Sequence, residues 1–518
     1  MPLFRSSTSS APVQPRSWLR RHKFFAAAVV VVVVAAGLAV WQPWEPCGNG
    51  MRTVGTSSDC VGIDVDNTSF GDNDATRDLR ALIDEHNAKV AGQDSVTVVV
   101  LDNMTPSTQT DSIDAKQVQH GVAGALAAAS RANTEQVARE TSPQVKLKLA
   151  NYGASNEEAE VAAQAIIDAR ASERIVAVVG LGQSLSHTRL AATRLSDEGL
   201  AVVSGMASAD DMNRRFQDDS THTERFYRIT PTNIDAAKAA VGYLKSRKGK
   251  LVLVHDTNSG DIYSRTLAEA FRSAYWTEFG ERPGEEDYSS PTDLVGISRE
   301  KYMEDMFADV FARICTEQPD QVYFAGRGAD LAVFLKTIAS SGICVNDLNL
   351  DVITSDDASA LVHRPLPEFA PKRVRVFYTS VATQGQWDHA DPPQPDSQAQ
   401  YRKFEDAFNR LGLTDNDPLT DGYAMSVHDA LLVATAAARG FEAPAENYKQ
   451  VSNWIKKFDC KGPFSGVTGE IAYQNDTARQ GNPVGKAMPI MRLEPNGHPV
   501  QESLVWPSGQ PFGPQSCE

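Results

Sequence analysis

The chain has 518 residues, 42% of them hydrophobic, 22% charged and 8% aromatic, with a formal net charge of −16. That length supplies apolar surface for more than one packed body, and the composition argues against a largely disordered chain. The first 23 residues carry five basic and no acidic side chains; the rest is therefore more acidic still, lacks a basic stripe and repels phosphate backbones, which argues against nucleic-acid binding.

Residues 1–23 read as a short cytoplasmic tail and residues 24–41, FFAAAVVVVVVAAGLAVW, as a transmembrane anchor. Eighteen uncharged residues lie near the lower limit for one helix crossing a hydrocarbon core. Arg16, Arg20, Arg21 and Lys23 stand just before the run, so the positive-inside rule places everything after Trp41 outside the cell membrane. The run is long for a cleavable signal and no A-x-A-like site follows it, so the segment is expected to stay attached. Glu45 and Pro46 precede Cys47, which does not fit a lipid-attachment cysteine.

Residues 42–94 are expected to form a juxtamembrane stalk and a helix, with Leu79, Leu82 and Ile83 sharing one helical face. The acidic positions Asp64, Asp66, Asn67, Asp72 and Asp74 lack the glycine and final bidentate Glu of a calcium loop and read as solvated stalk. A rhythm then begins. Short β-rich runs at 96–101, 145–150, 175–180, 200–204, 226–230, 250–255, 321–325 and 350–354 are separated by helical stretches at 117–132, 156–170, 184–197, 233–246, 262–275, 302–315 and 329–340. Continuous apolar strands alternating with amphipathic helices predict parallel sheets covered on both faces, and the count suits two of them. The fold class expected is α/β, two Rossmann-like lobes preceded by one transmembrane helix. Residues 383–400 read as a surface loop, 401–410 and 421–438 as helices, and 496–518 as an irregular tail.

Ligands of open parallel sheets bind outside the C-terminal strand ends. There this chain carries Asp102, Asn103 and Thr105; Gly182, Gln183, Ser184 and Ser186; Met206 and Ser208; Asp256, Thr257 and Asn258, with Tyr263 a little later; Arg327; and Ser355, Asp356 and Asp357. Ser184 is placed to begin a helix, where it serves either as a plain N-cap or beside an anion. The string G-L-G-Q-S-L at 180–185 fails as a dinucleotide fingerprint, because Leu185 stands at the third glycine and no acidic residue ends the next strand. The ten histidines are dispersed and no G-x-S-x-G elbow occurs, so no catalytic set, cofactor or metal site is expected. His187 and His255 lie near strand ends and read as hydrogen-bonded surface residues. Six cysteines in an oxidising compartment allow 15 pairings. Proximity favours Cys47 with Cys60, Cys315 with Cys344, and Cys460 with Cys517.

Seven segments in order resemble the type 1 periplasmic binding proteins, in particular their branched-chain amino-acid-binding branch associated with ABC transporters. They are HGVAGALAAASRAN (120–133), VVGLGQSLS (178–186), EGLAVVSGMAS (198–208), FYRITPTN (226–233), HDTNSGDIYSRTL (255–267), DGYAMSVHDALLVA (421–434) and FSGVTGEIAY (464–473). The resemblance implies one lobe from 95–231 plus 356–455, a second from 232–355 plus 456–495, and three hinge crossings. It implies a ligand carboxylate held by Ser184, Ser208 and the Met206 backbone, Tyr263 packed on the ligand, and Asp356 receiving an ammonium. Arg327 stands where the family often has an aromatic; there it either pairs with Asp356 or recognises an anionic ligand group. The function implied is capture of a small ligand, an amino acid or a related compound, by hinge closure without chemistry, for an ABC permease. A membrane-anchored sensor with a signalling partner is the alternative.

Overall fold

The protein is described from a computed structural model over residues 47–517, apart from 56–57, 108–112, 248, 346–347, 414–416 and 475–479. The expected tail and transmembrane segment, 1–41, lie outside the described residues. Among the described residues no helix is long and apolar enough to cross a membrane.

The first lobe is built on β1 (Met51–Arg52), β2 (Val61–Ile63), β3 (Ser95–Asp102), β4 (Gln144–Asn151), β5 (Ile175–Gly180) and β6 (Ala201–Ser204), then a small hairpin of β7 (Arg214–Arg215) and β8 (Asp218–His222), and β9 (Phe226–Arg228). Seven of them form a sheet in the order β1-β2-β4-β3-β5-β6-β9. From β4 to β9 every pairing is parallel. All eight residues of β3 are buried, as the unbroken apolar run VTVVVL requires of a strand covered on both faces.

The second lobe holds β10 (Leu251–Asp256), β11 (Gly284–Tyr288), β12 (Gln321–Ala325), β13 (Asn349–Thr354) and β14 (Arg373–Thr379). After a hairpin of β15 (Phe464–Gly466) and β16 (Gly469–Ile471), β17 (Met488–Leu493) and β18 (Pro499–Val505) return to it. The order is β11-β10-β12-β13-β14-β17-β18, parallel through β14 and antiparallel beyond it.

The helices that cover the sheets start where the chain offers caps. Asp114 and Gln117 close a reciprocal capping box at the start of Ala115–Thr134, and Thr232 with Asp235 does the same for Asn233–Lys245. The helix Tyr423–Ala438 is buried along its whole length and packs against Ala115–Thr134. The approach is close because residue 124 is glycine: a Cβ there would lie 2.0 Å from the Ala424 carbonyl oxygen.

Four boundaries differ from expectation. Residues 456–473, expected in the second lobe, stay with the first: Asp429 accepts the Val467 and Thr468 N–H groups at 3.0 and 2.8 Å, and Tyr473 OH donates to the Arg228 carbonyl at 3.2 Å. The strand β14, assigned above to the first lobe, pairs with β13 and β17 in the second sheet; its alternation Arg373-Val374-Arg375-Val376 is a one-sided strand pattern, with Arg375 held by Asp351 at 2.7 and 2.9 Å. The expected stalk is part of the first lobe, since β2 adds antiparallel to β4 and Arg80 neutralises Asp64 and Asp74 at 2.6 and 2.8 Å. The expected tail contributes β18, joined to β17 across the Asn496-Gly497 turn, a dipeptide suited to hairpins. The chain crosses between the lobes three times: after β9, after β14, and between Tyr473 and β17. The cysteines pair as 47 with 60, 315 with 344, and 460 with 517.

Candidate functional site

Strand ends of both sheets converge on one narrow cavity of about 10 Å³, lined by Gln183, Ser184, Met206, Ser208, Tyr263, Arg327, Asp356, Asp357, Ser359 and Tyr423, room for about one water molecule. All six residues singled out by sequence are among them. The segment after β5 reaches the cavity by a tight turn with Leu181 and Gly182 at positive φ. A side chain at 182 would run into the Asp102 carboxylate, 2.2 Å from its Oδ1. Ser184 does not cap the following helix, whose N-cap is Leu185. Its Oγ instead accepts the Ala209 N–H at 2.9 Å, tying together the two segments that follow β5 and β6 and leaving its own proton free to donate.

Polar contacts join the lobes across the cavity. Ser208 Oγ donates to Asp356 Oδ2 at 3.0 Å, Gln183 Nε2 to Asp357 Oδ1 at 3.1 Å, and Arg327 Nη2 to the Ser184 carbonyl at 2.8 Å. Arg327 does not pair with Asp356. Its guanidinium grips Asp261 through Nε and Nη2, each at 2.7 Å, reaches Asp357 at 3.5 Å and lies 4.6 Å over the Tyr263 ring. Burial works against both charges of the Arg327–Asp261 pair, yet their attraction outweighs it: Asp261 sits below the ordinary carboxylate range and Arg327 above its ordinary value.

The side chains that bond Asp356 are three hydroxyls, Ser355 Oγ at 2.9 Å, Ser208 Oγ at 3.0 Å and Tyr263 OH at 3.1 Å, beside its own backbone N–H. Among the described residues no cation pairs with it. Burial raises its pKa, against those three hydrogen bonds. Asp357 is pushed up to about 6 by burial, opposed by Arg327 and by the Gly328 N–H that donates at 2.6 Å. Gln183 Oε1 is buried without a partner beside these groups.

Ser359 and Tyr423 were missed by sequence reasoning. Tyr423 opens a helix behind Gly422, which takes the left-handed conformation with φ +83; that glycine-aromatic pair was the available signal. His187 does not line the cavity and packs on Tyr152 with ring centroids 5.3 Å apart, while His255 faces Glu285 at 3.4 Å.

Two lobes of mostly parallel sheet, crossed three times, with strand ends facing one cleft, make the fold that of the type 1 periplasmic binding proteins. Solved structures with this architecture include an ABC transporter substrate-binding protein from Desulfitobacterium hafniense in complex with Leu, at TM-score 0.56 and 17% identity over 79% of this chain and 99% of that one. A leucine-binding protein from Thermotoga maritima superposes at TM-score 0.56 and 17% identity, covering 80% of this chain and 100% of that one. A solute-binding protein of an ABC transporter from R. palustris, in complex with 4-hydroxybenzoate, gives TM-score 0.57 and 13% identity over 80% and 97%. At these identities the likeness is one of fold. No protein-family model matches the chain, and no curated protein matches it.

Proposed function

We propose that the protein is a membrane-tethered, extracytoplasmic solute-binding protein that captures a small zwitterion, an α-amino acid or a close relative, for an ABC-type transporter. One observation carries this reading: the buried carboxylates Asp356 and Asp357 line the cavity together with one guanidinium, Arg327, whose charge is taken by the half-buried Asp261 and by Asp357. Asp356 is the carboxylate left for a ligand cation, and the Ser184 and Ser208 hydroxyls stand across the cleft for a carboxylate. An ammonium at Asp356 releases the Ser208 O–H to turn toward that carboxylate. Ligand contacts to both lobes are complete only in the closed form, so binding shifts the population toward closure.

Calorimetric titration with α-amino acids, and with the amines and acids that lack one of the two groups, tests the proposal. Asp356→Asn is expected to weaken binding by about 2–5 kcal/mol, the cost of removing one partner of a desolvated charge pair, roughly 30- to 5,000-fold at 1.4 kcal/mol per decade. Asp357→Asn, whose carboxylate already has Arg327 and Gly328 as partners, is expected to cost far less affinity. Wild-type binding by Asp356→Asn together with loss in Arg327→Ala would overturn the zwitterion reading in favour of an anionic ligand.

A further inference from the structure

Beside the cleft, three side chains far apart in sequence meet at the surface. His363 follows the turn Asp356–Leu361 of the second lobe, His498 sits in the turn between β17 and β18 of the same lobe, and Asp417 lies in the loop before the buried first-lobe helix Tyr423–Ala438. One ligand atom from each lies within 4.8 Å of the others, and His498 Nδ1 is 3.9 Å from Asp417 Oδ2. We propose that His363, His498 and Asp417 bind one divalent transition-metal ion of the zinc type, and that this ion clips the two lobes together at the rim of the cleft.

The donor set selects the metal. Imidazole nitrogens suit zinc, copper and nickel, whereas calcium and magnesium ask for oxygen throughout. Two histidines and a carboxylate make a three-ligand site with a fourth position left to water. Tetrahedral ligands about 2.0–2.1 Å from zinc stand about 3.3 Å apart, so these exposed side chains close the site by torsion about their own bonds.

The surroundings already orient the ligands. Thr420 donates its hydroxyl proton to the Asp417 carbonyl at 2.8 Å, so toward His363 Nε2, 3.1 Å away, its oxygen acts as acceptor. Nε2 then carries the ring proton, and Nδ1 holds the lone pair a metal needs. This is how a partner behind the ring sets the tautomer of a ligating histidine. The two histidine-bearing turns are locked to each other: the His363 N–H donates to the Gly497 carbonyl at 2.9 Å, and a Cβ at 497 would lie 2.3 Å from the Arg364 carbonyl oxygen. Across the same rim Arg364 pairs with Asp114 of the first lobe at 2.9 Å, which holds Asp417 and the histidines in reach of one ion.

The test uses the full chain in detergent, stripped with chelator, and Zn²⁺ as the probe in calorimetry, with Co²⁺ absorption as a report of coordination geometry. One equivalent of Zn²⁺ is expected to bind. His363→Ala and His498→Ala should each weaken it at least tenfold, while His389→Ala, an exposed histidine outside the cluster, should leave it unchanged. All variants should melt with the wild type when no metal is present. Zn²⁺ should raise the melting temperature of the wild type and not of Asp417→Ala. Binding within twofold of wild type in either histidine variant would overturn the site, and wild-type binding by Asp417→Ala would overturn the clip between lobes.

Discussion

Asp102 ends β3 with its carboxyl wholly buried, accepting the Asn103 N–H at 2.8 Å and the Tyr152 hydroxyl at 3.2 Å. Burial outweighs both bonds and pushes its pKa up to about 6. An unfolded Asp ionises near its ordinary 3.8, so between about pH 4 and pH 6 the folded chain holds a proton that the unfolded chain has lost. The stability this group contributes is therefore complete below about pH 4 and is lost as pH rises through about 6. Two units correspond to about 3 kcal/mol. Asp102→Asn, neutral at every pH, should accordingly gain on the wild type by about that amount between pH 4 and 7, as read from urea midpoints. Parallel pH profiles for the two proteins would show that Asp102 is ionised in the fold. Arg327 illustrates what the residue scale conceals: its position after a strand was legible, but its main partner Asp261 is also a helix N-cap that accepts the Tyr263 N–H, and only packing reveals that one carboxylate serves both groups.

Helix packing sets the next scale. The helices Ala115–Thr134 and Tyr423–Ala438 approach so closely that Gly124 has no room for a methyl group. Gly124→Ala must push the pair apart, and is expected to destabilise by at least about 1–3 kcal/mol, the usual range for overpacking. Gly242 is the contrasting case, an exposed residue inside the helix Asn233–Lys245 with nothing within 4 Å of the place a methyl group would take. There Ala should stabilise by about 1 kcal/mol through helix propensity alone. Chemical denaturation of both variants checks the pair, and a neutral Gly124→Ala would mean that the two helices are not packed as described. Among strands, β3, β5 and β10 were plain as continuous apolar runs, whereas β14 and β18 were not. Arg373 and Arg375 on one face of β14, and the Pro499 start of β18, disguise strands that are half exposed, because an edge or one-sided strand keeps its charges in water.

At the scale of the whole molecule, the described residues form two lobes, and the anchor proposed at 24–41 remains an expectation from hydropathy. It predicts a topology. Protease added to intact cells or spheroplasts should digest the region after residue 47 and spare an epitope placed at the N-terminus. Recovery of a soluble mature protein lacking 24–41 would show instead that the segment is a cleaved signal. The sequence by itself determined the α/β class and the doubling of the sheet, favoured the three disulfide pairs, and pointed to six residues that line the cavity. Each of these is written in local periodicity, in spacing, or in an ordered series of motifs. Only the tertiary structure decided that β14, β17 and β18 complete the second sheet, that Arg327 is spent on Asp261 rather than Asp356, and that His363, Asp417 and His498 share one patch of surface. The physical reason is common to all three: hydrogen-bond register and charge pairing are settled between segments tens of residues apart, and only folding brings their partners within reach.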